Sequence, residues 1–149
     1  MRFAFAQSVM IALVMTVAQA PVAQAADVDA LRGAWELSAW HADGKPLSED
    51  RLEGGKLVLD GDHFTVTLAG QGTSTGTQKL DAGKRPKTID IMTADGPHEG
   101  TSCQGIYELD GDVFRVAFAP PGKPRPTAFT AAPDSEEWVH VWKRVKERE

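Results

Sequence analysis

Apolar residues recur along most of this chain at every second position, in short runs broken by Gly, Asp and Pro. That is the period of a strand with one buried face. Trp35, Leu37 and Ala39 alternate with Glu36, Ser38 and Trp40, which predicts Trp40 on the face opposite Trp35. Phe64, Val66 and Leu68 share a face against Thr65 and Thr67, and Ile89 and Ile91 do so within 88–93. Segments 56–60 and 63–69 read as a hairpin across Asp60-Gly61-Asp62, and 102–109 and 113–119 as another across Asp110-Gly111-Asp112. Asp43-Gly44-Lys45-Pro46 is further turn chemistry, since Gly tolerates positive φ and Pro fixes its own. Segment 71–79 is a polar strand rich in Thr, Ser and Gly, and 120–126 is a stiff Pro/Gly loop. Helical content is confined to a single turn at 27–32, ended by Gly33, and a short piece at 47–52 with Ser48 as its cap. The last segment carries two periods. Trp138, Val141, Trp142 and Val145 have helical spacing, whereas Trp138, His140 and Trp142 alternate, and their β-branched and aromatic surroundings favour the strand.

Consecutive strands with hairpin-sized loops build an all-β, single antiparallel up-and-down meander. Closing it into a barrel of about eight strands, with one or two short helical turns, removes the exposed edges. The N-terminus reads as a leader rather than part of this fold. Arg2 gives a positive start, 9–18 is an apolar core, and Ala23-Gln24-Ala25 is a small-x-small cleavage site. The apolar run falls short of the roughly 20 residues that span a bilayer. The expectation is a leader over 1–25 and one domain over 26–149, secreted or periplasmic, monomeric, with no membrane span after cleavage.

Composition narrows the chemistry. Lys plus Arg is 16 against 21 for Asp plus Glu, a net charge of −5, which disfavours nucleic acid as a partner. The single cysteine, Cys103, excludes an intramolecular disulfide and sits in a strand-like run as a small buried side chain. Intermolecular pairing through it stays open. His41, His63, His98 and His140 are scattered, without the spacing of a zinc site. The two Asp-Gly-Asp triplets lack the ligand count of a calcium loop. No nucleophile elbow occurs, Gly70-Gln71-Gly72 does not open a helix, and Glu136-Glu137 falls in a loop. The sequence thus nominates no catalytic, metal or cofactor residue.

The string Leu31-Arg32-Gly33-Ala34-Trp35 resembles the LxGxW start of lipocalin and calycin barrels. That resemblance implies that Trp35, beside Gly33, closes one barrel end under a basic residue of the last strand, Lys143 or Arg144. A wider resemblance runs through Lys84-Arg85-Pro86-Lys87-Thr88-Ile89-Asp90-Ile91, Asp95-Gly96-Pro97 and Gly105-Ile106-Tyr107-Glu108-Leu109-Asp110-Gly111-Asp112. It continues in Ala119-Pro120-Pro121-Gly122-Lys123-Pro124-Arg125-Pro126-Thr127 and covers nearly all of 26–149. These residues are similar to an uncharacterised lipocalin-like domain family abundant in planctomycete bacteria. The resemblance implies a fold and supplies no catalytic residues to carry over.

Two function classes follow. In the first, the barrel binds a small apolar or amphipathic ligand between rows formed by Phe64, Val66, Leu68, Ile89 and Ile91. Two basic loops, Lys84, Arg85 and Lys87 in one and Lys123 and Arg125 in the other, would rim the pocket and attract an anionic head group if both stood at one end. Otherwise they are solubilising charges. In the second class the interior is filled and the outer surface contacts an envelope protein or polysaccharide. Only Phe64, Phe114, Phe118 and Phe129 follow the leader, which argues against a large cavity.

Overall fold

The computed structural model describes residues 20–146. Arg2 and the 9–18 core of the expected leader lie outside the described residues. A helix α1 (Ala20–Leu31) precedes nine strands: β1 (Gly33–Ala42), β2 (Lys45–Pro46), β3 (Lys56–Asp60), β4 (His63–Leu68), β5 (Gly72–Asp81), β6 (Lys87–Asp95), β7 (Ser102–Asp110), β8 (Val113–Phe118) and β9 (Trp138–Arg144), with helix α2 (Glu49–Leu52) between β2 and β3. Every pairing is antiparallel, in the order β2-β1-β3-β4-β5-β6-β7-β8-β9, and β9 pairs back onto β1. The result is a closed eight-stranded up-and-down barrel, with β2 as an extra short strand on the outer end of β1.

The two Asp-Gly-Asp hairpins close with two-residue loops, Asp60 pairing His63 and Asp110 pairing Val113. Gly61 and Gly111 lie at φ 63 and 59 while the following Asp keeps negative φ, the backbone of a type II′ turn, which matches the twist of the flanking strands. In the last segment the strand period prevails over the helical one, because β9 is sandwiched between β8 and β1 and donates to both.

Two expectations change. Helix α1 is longer than a single turn and runs through Ala25, and its Ala-rich sequence favours helix. Trp40 is not on the face opposite Trp35. The β1–β9 register shifts between Leu37 and Ala39, and one extra residue in a strand moves everything beyond it to the other face. Trp35, Leu37 and Trp40 therefore all point inward and are buried.

Connections of a meander alternate between ends. The β3–β4, β5–β6 and β7–β8 turns share one end with the start of β1 and the finish of β9. The β1–β2 turn and the β4–β5, β6–β7 and β8–β9 loops share the other. Helix α1 covers the first end, where Leu31 and Trp35 are completely buried. The long 119–137 connection folds back against the outer wall, where Ile106, Ala117, Ala131 and Val139 form a second small core with Phe129 and Val141 packed against it.

Candidate functional site

At the covered end, every named polar group is partnered. Trp35 Nε1 donates to Leu31 O at 2.9 Å. The Arg144 guanidinium stacks 4.3 Å from the Trp35 ring centre and donates to the carbonyls of Ala30 and Arg32, with Asp112 Oδ1 3.1 Å from its Nε. Asp27 Oδ2 accepts from Tyr107 OH at 2.7 Å and from Lys87 Nζ at 2.8 Å. Burial first, and then the bond to Asp27, push the Tyr107 phenol upward, so it stays a donor. This end is a floor, tied to the N-terminal helix by side chains from β6, β7 and β9.

Above the floor the barrel is open. It holds a cavity of about 540 Å³, within the range of small-molecule pockets. One wall is aromatic, lined by Trp40, Phe114, Phe118, Trp138 and Trp142 together with His140. Trp40 and Trp142 meet that imidazole edge-on, at 4.9 and 5.6 Å between centroids. The facing wall is mostly aliphatic, from Val66, Leu68, Ile89 and Ile91 with the ring of Phe64, and Cys103 is beside them. Two close backbone approaches keep the space clear. A Cβ on Gly76 would lie 2.8 Å from Phe64 Cζ, and one on Gly105 would lie 2.5 Å from Phe118 Cδ1. Each Phe ring thus lies flat over a cross-strand glycine, against the wall rather than across the lumen. The few phenylalanines argued against a large cavity; the structure shows one of moderate size, with tryptophans supplying much of its perimeter.

Polar groups in the cavity are few. Ser74, Gln78, Thr93 and His140 are all buried, and burial lowers His140 to about 3, leaving it neutral. Trp40 Nε1, Gln78 Nε2 and His140 Nε2 have no hydrogen-bond partner among the described residues. Burial also pushes the Cys103 thiol up, away from the thiolate. The mouth carries Asp43, Glu136 and Glu137 together with His98, and no described lining residue is Lys or Arg. Its lip is unusual in backbone: Ala131, Asp134 and Glu136 all adopt positive φ. Bonds from Gly44 N to Ala131 O at 2.6 Å and from Asp134 N to Asp43 Oδ1 at 2.9 Å clamp this lip to the β1–β2 turn.

The residues singled out from the sequence divide cleanly. Phe64, Val66, Leu68, Ile89 and Ile91 come together on one cavity wall. Gly33, Trp35 and Arg144 meet at the floor, where Arg144 is the basic residue on the indole; Lys143 faces outward, paired in register with Glu36 and Val113. The two basic loops are not brought together. Lys84, Arg85 and Lys87 belong to the floor end, where Arg85 bonds the carbonyls of Ala82 and Lys84. Arg125 lies on the outer wall, donating to Gly105 O at 2.7 Å and standing 2.8 Å from Asp90 Oδ1. Lys123 borders a shallow surface depression with Ser102 and Gln104. None of the five lines the cavity, so the rim is acidic rather than basic.

Trp40, Gln78 and His140 escaped sequence reasoning. His140 was legible, since it alternates with Trp138 and Trp142, and Gln78 shares a face with Leu80. Trp40 was hidden by the register shift. No family model, curated protein or solved structure matches the chain.

Proposed function

We propose that this chain is a secreted or periplasmic lipocalin-like module, without catalysis, that carries a small apolar or amphipathic ligand inside its barrel. The observation that carries this reading is the open, aromatic-walled cavity of about 540 Å³ above a closed floor. A filled eight-stranded barrel would serve as well for a purely structural role. Here the wall glycines hold the rings aside instead. A neutral imidazole, an amide, hydroxyls and a protonated thiol favour holding a ligand over turning it over. The leader over 1–25 and the resemblance to lipocalin-like domains support export and carriage. Cleavage after Ala25 keeps Asp27, Val28 and Leu31, which hold α1 to the floor, in the mature chain.

The test is a titration of the mature protein with N-phenyl-1-naphthylamine, an uncharged fluorophore. Saturable binding of one probe per chain, with quenching of tryptophan emission, is expected. A signal that rises without saturation would return the barrel to the structural class. The intact mass of the exported protein tests the leader: a product retaining Met1 would end the assignment to a soluble secreted form.

A further inference from the structure

Resting on the binding reading above, we infer that the cavity takes a cationic amphiphile, an organic ammonium whose apolar tail fills the lumen while its charge sits at the mouth.

The cavity itself points to a ligand, and its mouth gives that ligand's charge. Inside, the walls are mostly apolar and aromatic, so an uncharged tail can shed its water there and an ion cannot. The acidic residues lining the cavity are Asp43, Glu136 and Glu137, and no described lining residue is Lys or Arg. None of the three carboxylates is ion-paired with a described residue. Asp43 Oδ1 accepts from Asp134 N at 2.9 Å, a bond that leaves its negative charge in place.

Their placement follows from the β1–β9 ladder. Its last pair is Ala42 with Trp138, so Asp43 and Glu137 are the next residues outward on two adjoining strands. Glu136 continues the same lip, and the bond from Gly44 N to Ala131 O at 2.6 Å holds the lip to the β1–β2 turn. One residue further in, half-buried Trp138 lines the cavity, its ring centre 5.7 Å from that of Phe118. Carboxylates beside aromatic rings are the chemistry that holds an organic ammonium, since both attract the charge and its carbon substituents pack on the rings.

The other charges of this end do not reverse the sign. Asp95, Glu99 and Asp134 are exposed on the β6–β7 and β8–β9 connections and at their edges. Lys45 and Arg51 are exposed, do not line the cavity, and share their segment with Glu49, Asp50 and Glu53. Lys123 borders the separate outer depression, and Arg125 stands 2.8 Å from Asp90 Oδ1 on the outer wall. Lys87 is at the floor, bonded to Asp27. An approaching cation therefore meets a negative mouth, and an anion of the same shape is repelled.

Three compounds with one tail test the inference by displacement of bound N-phenyl-1-naphthylamine: octyltrimethylammonium, octanol and octyl sulfate, each below its critical micelle concentration. The mature protein is used at a pH of about 8, where carboxylates are ionised. At an ionic strength of about 0.01 M the ammonium is expected to bind at least about tenfold tighter than the sulfate, and about 0.5 M salt should close most of that gap. Asp43→Asn and Glu137→Gln should each lower the ammonium-to-sulfate ratio about threefold, and the triple variant that adds Glu136→Gln should bring it close to one. Asp62→Asn, which removes an exposed carboxylate at the floor end, should leave the ratio unchanged. Octanol binding reports that each variant is folded, and if one fails to fold, the three ligands and the salt series on the unaltered protein decide alone. Equal affinity for ammonium and sulfate, tighter binding of the sulfate, or a preference that neither salt nor the triple variant moves would overturn the selectivity and leave ligand carriage standing. Failure of all three ligands and of the fluorophore to bind would instead remove the binding reading itself, and this inference with it.

Discussion

Two tryptophans on the same strand illustrate how differently the two ends of this barrel are built. Trp35 is completely buried, its Nε1 is bonded to Leu31 O, and the Arg144 guanidinium covers its face. Trp40, a few residues along β1, is nearly as buried, yet its Nε1 has no partner among the described residues and its ring lines a cavity. Floor and lumen thus use the same residue for opposite purposes. At the floor the polar atoms of Trp35, Tyr107 and Asp27 are bonded within the chain, so removing a side chain there costs stability. On the lumen wall Trp40 Nε1 is buried without a hydrogen-bond partner among the described residues, so replacing the indole breaks no bond within them. Natural proteins accept unsatisfied polar atoms of this kind at few places, and functional sites are the commonest.

The comparison is most easily broken by truncating the two rings. Trp35→Ala should destabilise the protein by about 3–5 kcal/mol, the usual cost of deleting a large aromatic from a packed core. Trp40→Phe should cost no more than about 1.5 kcal/mol, as a conservative swap whose lost donor had no protein partner. Chemical denaturation of both variants measures the difference. Equal losses would mean that the lumen is packed as tightly as the floor.

A smaller effect addresses what keeps the lumen open. Gly105→Ala places a methyl 2.5 Å from both Ala117 O and Phe118 Cδ1. Phe118 must swing off the wall and into the cavity, costing about 1–3 kcal/mol and weakening fluorophore binding together. Loss of stability with unchanged binding would show that the ring moves elsewhere.

The last effect is one of pH. Unfolded histidine takes a proton near 6.5, but His140 in the fold does so only at about 3. Between those values the unfolded chain binds a proton that the native state refuses, so stability is full above pH 6.5 and falls as pH drops towards 3. Midway between them, the slope from this one group is about 1.4 kcal/mol per pH unit. His140→Phe should lose that part of the slope and keep the part due to carboxylates. Parallel pH profiles for the two proteins would mean that the imidazole is open to water.

Much of the architecture was legible because it is local. Alternation in 63–69 and 88–93 marked the faces, the Asp-Gly-Asp triplets marked the hairpins, and β9 followed the period of Trp138, His140 and Trp142. The wall row from Phe64 to Ile91 came from the same arithmetic. One error was avoidable. In an up-and-down meander the connections alternate ends, and three strands separate the Lys84–Lys87 loop from the Lys123–Arg125 loop, so the two cannot rim the same mouth.

What the sequence determined by itself is the strand period, the turn chemistry and hence a closed antiparallel meander, since a side chain's face depends only on backbone geometry within its own strand. What only the tertiary structure decided is whether that barrel is hollow and which side chains line the hollow. A single shift of register against β9 turned Trp40 inward. Glycines on β5 and β7 drew Phe64 and Phe118 onto the walls from neighbouring strands. Arg125 and Lys87 were spent on partners far along the chain. Each of these is a contact between residues distant in sequence, and no local period encodes such contacts.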